Sequence, residues 1–180
     1  QMCALRIWKL FCQVEGRALE VGGGTGKIIP FYPKELKVTA IDISENMLRN
    51  AQKKATIAEK NVQFALMDVQ HLAFKDETFD IIVGTFVFCS VFEPIKGLKE
   101  LKRVIKKDGK ILLLEHVKSE HHIMGKLMDI LNPLIVKMMG FNINRDTVTN
   151  IKNSGFFLIS ESNLKGDVFK ELLATPTSQI

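Results

Sequence analysis

The stretch Leu19-Glu20-Val21-Gly22-Gly23-Gly24-Thr25-Gly26 sends a short apolar strand straight into a glycine-rich turn, and it constrains the fold more than any other feature of the chain. Glycines at 22, 24 and 26 let the backbone take positive φ and let a ligand approach the main chain where a Cβ would collide. Downstream, strands alternate with helical patterns, which argues for a parallel sheet covered on both faces. Strands are expected at Arg17 to Val21, Lys37 to Ile41, Val62 to Met67, Phe79 to Val83 and Lys110 to Val117. Two more are expected around Phe156 to Ser162 and Asp167 to Leu173. Ser44 reads as the N-cap of a helix whose apolar face is Met47, Leu48, Ala51, Ala55 and Ala58. A second helix is expected from about Glu93, with Pro94 in its first turn and Ile95, Leu98, Leu101 and Ile105 facing inward, as far as the Asp108-Gly109 turn. A Met-rich helical stretch from about Ser119 to Met139 is expected to be interrupted by Pro133, and a short helix to run from Asp146 to Asn153.

The turn excludes two nucleotide sites. A dinucleotide fingerprint, G-x-G-x-x-G, lacks its third glycine in either frame, because Lys27 and Ile29 stand where it is needed. A phosphate-binding P-loop would need glycine at 21 and serine or threonine at 28, where Val21 and Ile28 stand. Glu20 points to a third ligand. A carboxylate ahead of the turn repels a pyrophosphate but favours the ammonium and sulfonium of S-adenosylmethionine.

At 180 residues, with 46% hydrophobic and 25% charged residues, the chain fits one α/β domain with an adequate core. That domain is expected over residues 17–174, with 175–180 as a flexible polar tail. The chain begins at Gln1 without an initiator methionine, so a further segment is expected upstream. Residues 1–16, with Ile7, Trp8, Leu10 and Phe11 at helical spacing, read as the remnant of an N-terminal helical lid. The net charge of +5 is concentrated at Lys96, Lys99, Lys102, Arg103, Lys106 and Lys107. Such a run is usually a solvated helix face; peripheral contact with an anionic membrane is its second reading. Cys3, Cys12 and Cys89 are odd in number and lack metal-ligand spacing, so a reducing, cytoplasmic location is expected. The histidine pair His121-His122 has no carboxylate or cysteine partner at metal-ligand spacing, and no metal is expected. Modest charge without a basic stripe interleaved with aromatics argues against nucleic acid.

Ligands of open α/β sheets sit beyond the carboxyl ends of the strands. Asp42 ends the second strand, 20 residues after Gly22, at the spacing where an acid accepts from both ribose hydroxyls. Asp68 ends the third, where a carboxylate can accept from the exocyclic amine of adenine while Val69 or Ile43 packs on the ring. A turn former or helix cap is the second reading of either aspartate. Thr85, after the fourth strand, completes the set of cofactor-binding candidates.

The order Glu20-x-Gly22-x-Gly24-x-Gly26, then Asp42, then Met67-Asp68, then Phe79-Asp80-Ile81-Ile82-Val83, closely resembles the class I S-adenosylmethionine-dependent methyltransferases. The resemblance spans roughly residues 17 to 173. It implies a Rossmann-like three-layer sandwich around a mostly parallel seven-stranded sheet whose last strand is antiparallel. It also implies S-adenosylmethionine as donor and S-adenosylhomocysteine as product. Leu114-Glu115-His116-Val117, Phe88-Cys89-Ser90-Val91 and Asn144-Arg145-Asp146 are similar to the small-molecule branch, which holds quinone C-methyltransferases, phospholipid N-methyltransferases and alkyl-thiol methyltransferases. Gly23 stands where many relatives carry cysteine or another small residue.

Methyl transfer is an in-line SN2 displacement in which alignment can supply up to roughly 7–11 kcal/mol of the barrier. If the acceptor must lose a proton, His116, just beyond the fifth strand with Glu115 beside it, is the expected base. A strand-end histidine held structurally is the alternative. Ile123, Met124, Leu127, Met128, Leu131, Leu134 and Met138 after the fifth strand, with Thr85, Phe86 and Phe88 after the fourth, suggest a small apolar acceptor, although core packing is the commoner meaning of such residues. A donor-binding protein without turnover, acting as a regulatory or structural partner, is the second function class.

Overall fold

The computed structural model describes residues 16–178. Seven strands, β1 (Arg17–Val21), β2 (Lys37–Asp42), β3 (Val62–Leu66), β4 (Phe79–Thr85), β5 (Ile105–His116), β6 (Phe157–Lys165) and β7 (Phe169–Thr175), form one sheet in the order β3-β2-β1-β4-β5-β7-β6. All pairings are parallel except those of β7, which runs antiparallel to both β5 and β6. Among the described residues four helices accompany it: α1 (Glu45–Ile57), α2 (Pro94–Val104), α3 (His122–Met139) and α4 (Thr147–Asn153). A 3-10 turn, Ile29–Phe31, follows the glycine segment.

The central strands are apolar on both faces because both faces are covered. Along β1, β4 and β5, alternate residues go to opposite cores. Ala18, Ile81, Val83, Leu112 and Leu114 pack with Ala51 and Ala55 of α1. Leu19, Ile82, Ile111 and Leu113 pack with Leu98 and Leu101 of α2 and Ile151 of α4. Ser44 caps α1 as expected, its Oγ accepting from Met47 N–H at 3.4 Å. The chain winds from β1 outward to β3, then crosses back to β4 on the other side of β1. That reversal opens a crevice above the carboxyl ends of β1 and β4, where Val21 pairs with Gly84.

Three local expectations are corrected. Helix α2 stops at Val104, and Ile105, expected on its inward face, is extended (φ −81°, ψ 145°) and pairs with Phe79. The register shifts between Phe79 and Ile81, and the backbone around Gly109 closes to where an added Cβ would lie 2.9 Å from the Asp80 carbonyl. Residues 106–109 are therefore a bulge at the start of β5 rather than the end of a helix. Pro133 does not interrupt α3, which runs through it to a Gly140 cap at φ 76°. The residue is exposed, and its missing N–H costs the helix one hydrogen bond without ending it. Thr175, assigned to a flexible tail, is buried in β7 with its hydroxyl donating to the Gly109 carbonyl at 3.3 Å. The proposed lid over residues 1–16 lies, but for Gly16, outside the described residues.

The basic run over 96–107 is largely paired with its own domain. Arg103 donates to both Glu100 oxygens, to Asp76 and to the carbonyls of Leu72 and Phe74. Lys106 pairs with Asp80 at 2.6 Å and Lys102 donates to the Gly155 carbonyl. Arg103 thereby clamps the loop that follows β3 to helix α2.

Candidate functional site

The crevice above β1 and β4 holds a cleft of ≈ 500 Å³, within the range of roughly 300–1,000 Å³ typical of small-molecule sites. Its walls come from the glycine turn, from the carboxyl ends of β2 and β3, and from the turn that follows β4. Of the expected donor residues, Gly22, Gly24, Asp42, Ile43, Asp68, Val69 and Thr85 meet there.

Gly22, Gly24 and Gly26 all have positive φ, at 61°, 51° and 70°. Two of them need glycine for different reasons. A Cβ on Gly24 would meet nothing closer than 3.8 Å, so this backbone is bare on a wall of the cleft. A Cβ on Gly26 would press into Ile29 at 2.6 Å and the Ala51 backbone at 3.0 Å, so Gly26 admits α1 against the turn and takes no part in lining the cleft.

Asp42 closes the floor. One carboxylate oxygen accepts from Gly24 N–H at 2.9 Å and the other from Ser44 N–H at 2.9 Å, which ties the glycine turn to the start of α1. Each oxygen retains a lone pair for a ligand hydroxyl. Asp68 accepts from the Gln70 backbone at 2.9 Å and from the Gln70 amide at 3.1 and 2.9 Å. The Gln70 side-chain oxygen in turn accepts from Glu93 N–H at 2.9 Å, bridging the β3 loop to the entry of α2. Both readings of Asp68 thus coexist: it forms a turn, and it lines the cleft.

Glu20 lies elsewhere than its motif suggested. It is buried beneath the turn, outside the cleft lining, and accepts a hydrogen bond from the Tyr32 hydroxyl. Burial pushes its carboxyl up to about 7, the Tyr32 bond opposing and the nearby Asp42 adding to the rise. It therefore supports the turn from below rather than offering a full negative charge to a cation in the cleft.

The turn after β4 sorts its aromatics in a way the sequence did not reveal. Phe86 lines the cleft at φ 55°, a left-handed conformation that non-glycine residues adopt at a cost. Phe88, two residues on, is buried in the core instead. Glu115 decides this arrangement: fully buried at the end of β5, its Oε1 accepts from Val87 N–H at 2.9 Å and Phe88 N–H at 3.2 Å. Its Oε2 is buried without a hydrogen-bond partner among the described residues, and burial pushes the carboxyl up to about 7. Burial likewise pushes the Cys89 thiol up to about 11, so it is no ready nucleophile.

His116 is outside the cleft lining. It is the cross-strand partner of Phe169 and packs edge-to-face on that ring at 5.0 Å; Phe169 in turn meets Phe86 at 5.9 Å. Its Nδ1 is buried without a partner among the described residues, and burial holds the imidazole below its ordinary pKa. The expected base thus lies outside the cleft lining, since the strand continues through His116 and its ring packs on the β7 neighbour Phe169. Met67, Gln70, Ser90, Val91 and Phe92 also line the cleft and were not singled out as donor-site residues. For Met67 the signal was present, because it precedes Asp68 at a strand end.

The methyltransferase domain family matches residues 19–113. A phosphatidylethanolamine N-methyltransferase of Cereibacter sphaeroides is 40% identical over 103 residues, covering 56% of this chain and 51% of the relative. A ubiquinone/menaquinone biosynthesis C-methyltransferase of Teredinibacter turnerae is 32% identical over 155 residues, covering 78% of this chain and 61% of the relative. The chain thus spans half to three fifths of the length of these curated relatives. Among solved structures, a Haemonchus contortus N-methyltransferase crystallised with phosphomonomethylethanolamine and S-adenosylhomocysteine superposes with a TM-score of 0.78 at 17% identity, covering 98% of this chain and 53% of that one. At that identity the likeness establishes the fold.

Proposed function

We propose, on the footing that the chain belongs to the methyltransferase domain family of S-adenosylmethionine-dependent enzymes, that it methylates a small, apolar or amphiphilic acceptor: a quinol, a lipid amine or a thiol. The observation that carries this reading is the division of one cleft. Asp42 and Asp68 come to it from β2 and β3, while apolar Phe86, Val91 and Phe92 come from the turn beyond β4, on the other side of β1. The carboxylate side and the bare Gly24 backbone suit the hydroxyls and amines of the donor; the aromatic side suits an apolar acceptor. The relatives named for phosphatidylethanolamine N-methylation and for ubiquinone/menaquinone C-methylation support an acceptor of this class.

S-adenosylmethionine, when bound, supplies an electrophilic methyl on a sulfonium, which the acceptor displaces in line to leave S-adenosylhomocysteine. The residues of the chain hold and align. Among the described residues, the titratable side chains lining the cleft are Asp42 and Asp68, and both belong to the donor side. With no base on the acceptor side among the described residues, alignment is their main contribution, and it can reach roughly 7–11 kcal/mol. An acceptor that enters as a free nucleophile, an amine, thiolate or phenolate, therefore fits better than an alcohol that must be deprotonated in place.

Calorimetry with S-adenosylhomocysteine and NAD, followed by transfer from labelled donor to a quinol, phosphatidylethanolamine and an alkyl thiol, tests the proposal. Binding of S-adenosylhomocysteine together with transfer to one acceptor supports it. Binding without transfer to any of them would leave only the donor-binding reading, and tight binding of NAD would overturn the site itself.

A further inference from the structure

Helix α3 is seated by very little of its surface, since of its eighteen residues Gly125 and Met128 are buried. Gly125 touches down so closely that a Cβ there would lie 2.8 Å from the Ser119 carbonyl, and Met128 Sδ receives the Ser119 N–H at 3.4 Å. At about 100° per residue, Ile123, Leu127, Ile130, Leu134 and Met138 fall in a stripe roughly 80° wide on the side opposite Gly125. All five are exposed, Ile123 at 84%, Ile130 at 74% and Met138 at 75%. An apolar stripe that faces out along a whole helix, rather than scattered single residues, marks a contact surface.

The charges beside the stripe select the partner. Lys126 and Lys137 lie on one flank, next to Ile130, and neither forms an ion pair among the described residues. The helix's acid, Asp129, lies further round and is engaged by Lys118 at 2.6 Å and by Asn144 at 2.9 Å. The outward side of α3 therefore offers apolar side chains with free positive charge along one border. A second copy of this chain would give those lysines no free carboxylate from its own α3. The phosphates of an anionic bilayer would, with the stripe among the acyl chains and the lysine stems lying along it. The helix lies rather than spans, because Lys126, Asp129 and Lys137 interrupt it, and among the described residues no helix is long and apolar enough to cross a membrane.

We propose that α3 is a docking surface for an anionic lipid bilayer. The helix is coupled to the cleft: Asn132 donates to Asn142 at 3.0 Å and accepts from Ile143 N–H at 2.9 Å, while Asn142 donates twice to the Cys89 carbonyl, at 2.8 and 3.1 Å. Cys89 sits between Val87 and Ser90, both in the cleft wall. Docking thus holds the acceptor side of the cleft near the bilayer. That consequence rests on the methyltransferase reading above; the docking itself does not.

Flotation of the purified protein with vesicles of phosphatidylcholine alone, and of phosphatidylcholine doped with phosphatidylglycerol, tests the surface at low and high salt. The expected result is salt-sensitive binding to the doped vesicles, with slowed hydrogen exchange over residues 123–138. The double variant Lys126→Glu/Lys137→Glu should bind those vesicles roughly thirtyfold more weakly or worse. Ile130→Gln/Leu134→Gln should lose binding at high salt as well as low. Both variants alter exposed side chains, so unchanged thermal midpoints and unchanged S-adenosylhomocysteine affinity are expected of each. No flotation of the wild type, equal binding to neutral and doped vesicles, or protection of 123–138 by concentration-dependent dimerisation without lipid would each overturn the proposal. Absence of methyl transfer would leave the vesicle result standing, and absence of vesicle binding would leave the donor site standing.

Discussion

Glu115→Gln is the perturbation that best separates the charge of the buried carboxyl from the hydrogen bonds it makes. Oε1 holds the turn after β4 through the Val87 and Phe88 N–H groups, at 2.9 and 3.2 Å, and an amide oxygen can accept both bonds in the same geometry. What glutamine removes is the ability to ionise. Burial lifts the folded carboxyl from 4.5 to about 7, so the folded protein holds this proton more tightly than the unfolded chain does. The sign follows: this group's contribution to stability is most favourable below about pH 4.5, falls as pH rises toward 7, and is flat above it. At 1.36 kcal/mol per pH unit, the span from 4.5 to about 7 is worth about 3 kcal/mol. Glutamine lacks that slope but brings an NH2 to the place of Oε2, which has no partner among the described residues, at a pH-independent cost of about 1–3 kcal/mol. Urea unfolding of both proteins at pH 5 and pH 8 reads the difference. The variant should be the less stable at pH 5 and should improve relative to wild type by about 2–3 kcal/mol at pH 8, while contributions from Glu20 and His116 cancel. Parallel stability curves, with the same gap at both pH values, would refute the burial of an ionisable Glu115.

Asp42→Ala should weaken S-adenosylhomocysteine binding about ten- to hundredfold by calorimetry, the loss of charge-assisted bonds worth about 1.5–3 kcal/mol; unchanged affinity would remove Asp42 from the site. Gly26→Ala should cost about 2–4 kcal/mol in denaturant unfolding, because it combines a φ of 70° with a collision against the Ala51 backbone. Gly23→Ala, whose Cβ would meet only ordinary contacts from 3.4 Å outward, should cost less than about 1 kcal/mol, and equal losses would contradict the packing argument. Arg103→Lys should lower stability by about 2–3 kcal/mol, since an ammonium cannot reproduce five bonds to Glu100, Asp76, Leu72 and Phe74; an unchanged thermal midpoint would show the clamp to be idle. His116→Ala should leave kcat within about threefold and its pH profile unchanged, whereas a general base would show a loss of roughly 10²–10⁴.

The glycine turn, the alternation of strands and helices, and the aspartates at the strand ends were legible in the sequence because each is a local signal. Positive φ at 22, 24 and 26 needs glycine, a strand end needs a turn former, and a strand covered on both faces is apolar throughout. Asp42 could be placed in the cleft from its spacing alone, since a βα unit always delivers the end of its second strand to the same side of the sheet.

Tertiary structure decided what happens one or two residues beyond those ends. Phe86 and Phe88 have the same local character, yet the buried Glu115, 27 residues after Phe88, holds the backbone N–H groups that turn one ring to the cleft and the other to the core. His116 is the last residue of the fifth strand rather than the first beyond it, and its ring packs on its antiparallel partner Phe169, outside the cleft lining. Glu20 carries the motif and lies under it, because Tyr32 from the next loop reaches its carboxyl. In each case the deciding contact joins segments distant in the chain, and a local pattern of residue types, which fixes backbone preference and polarity, contains no term for it.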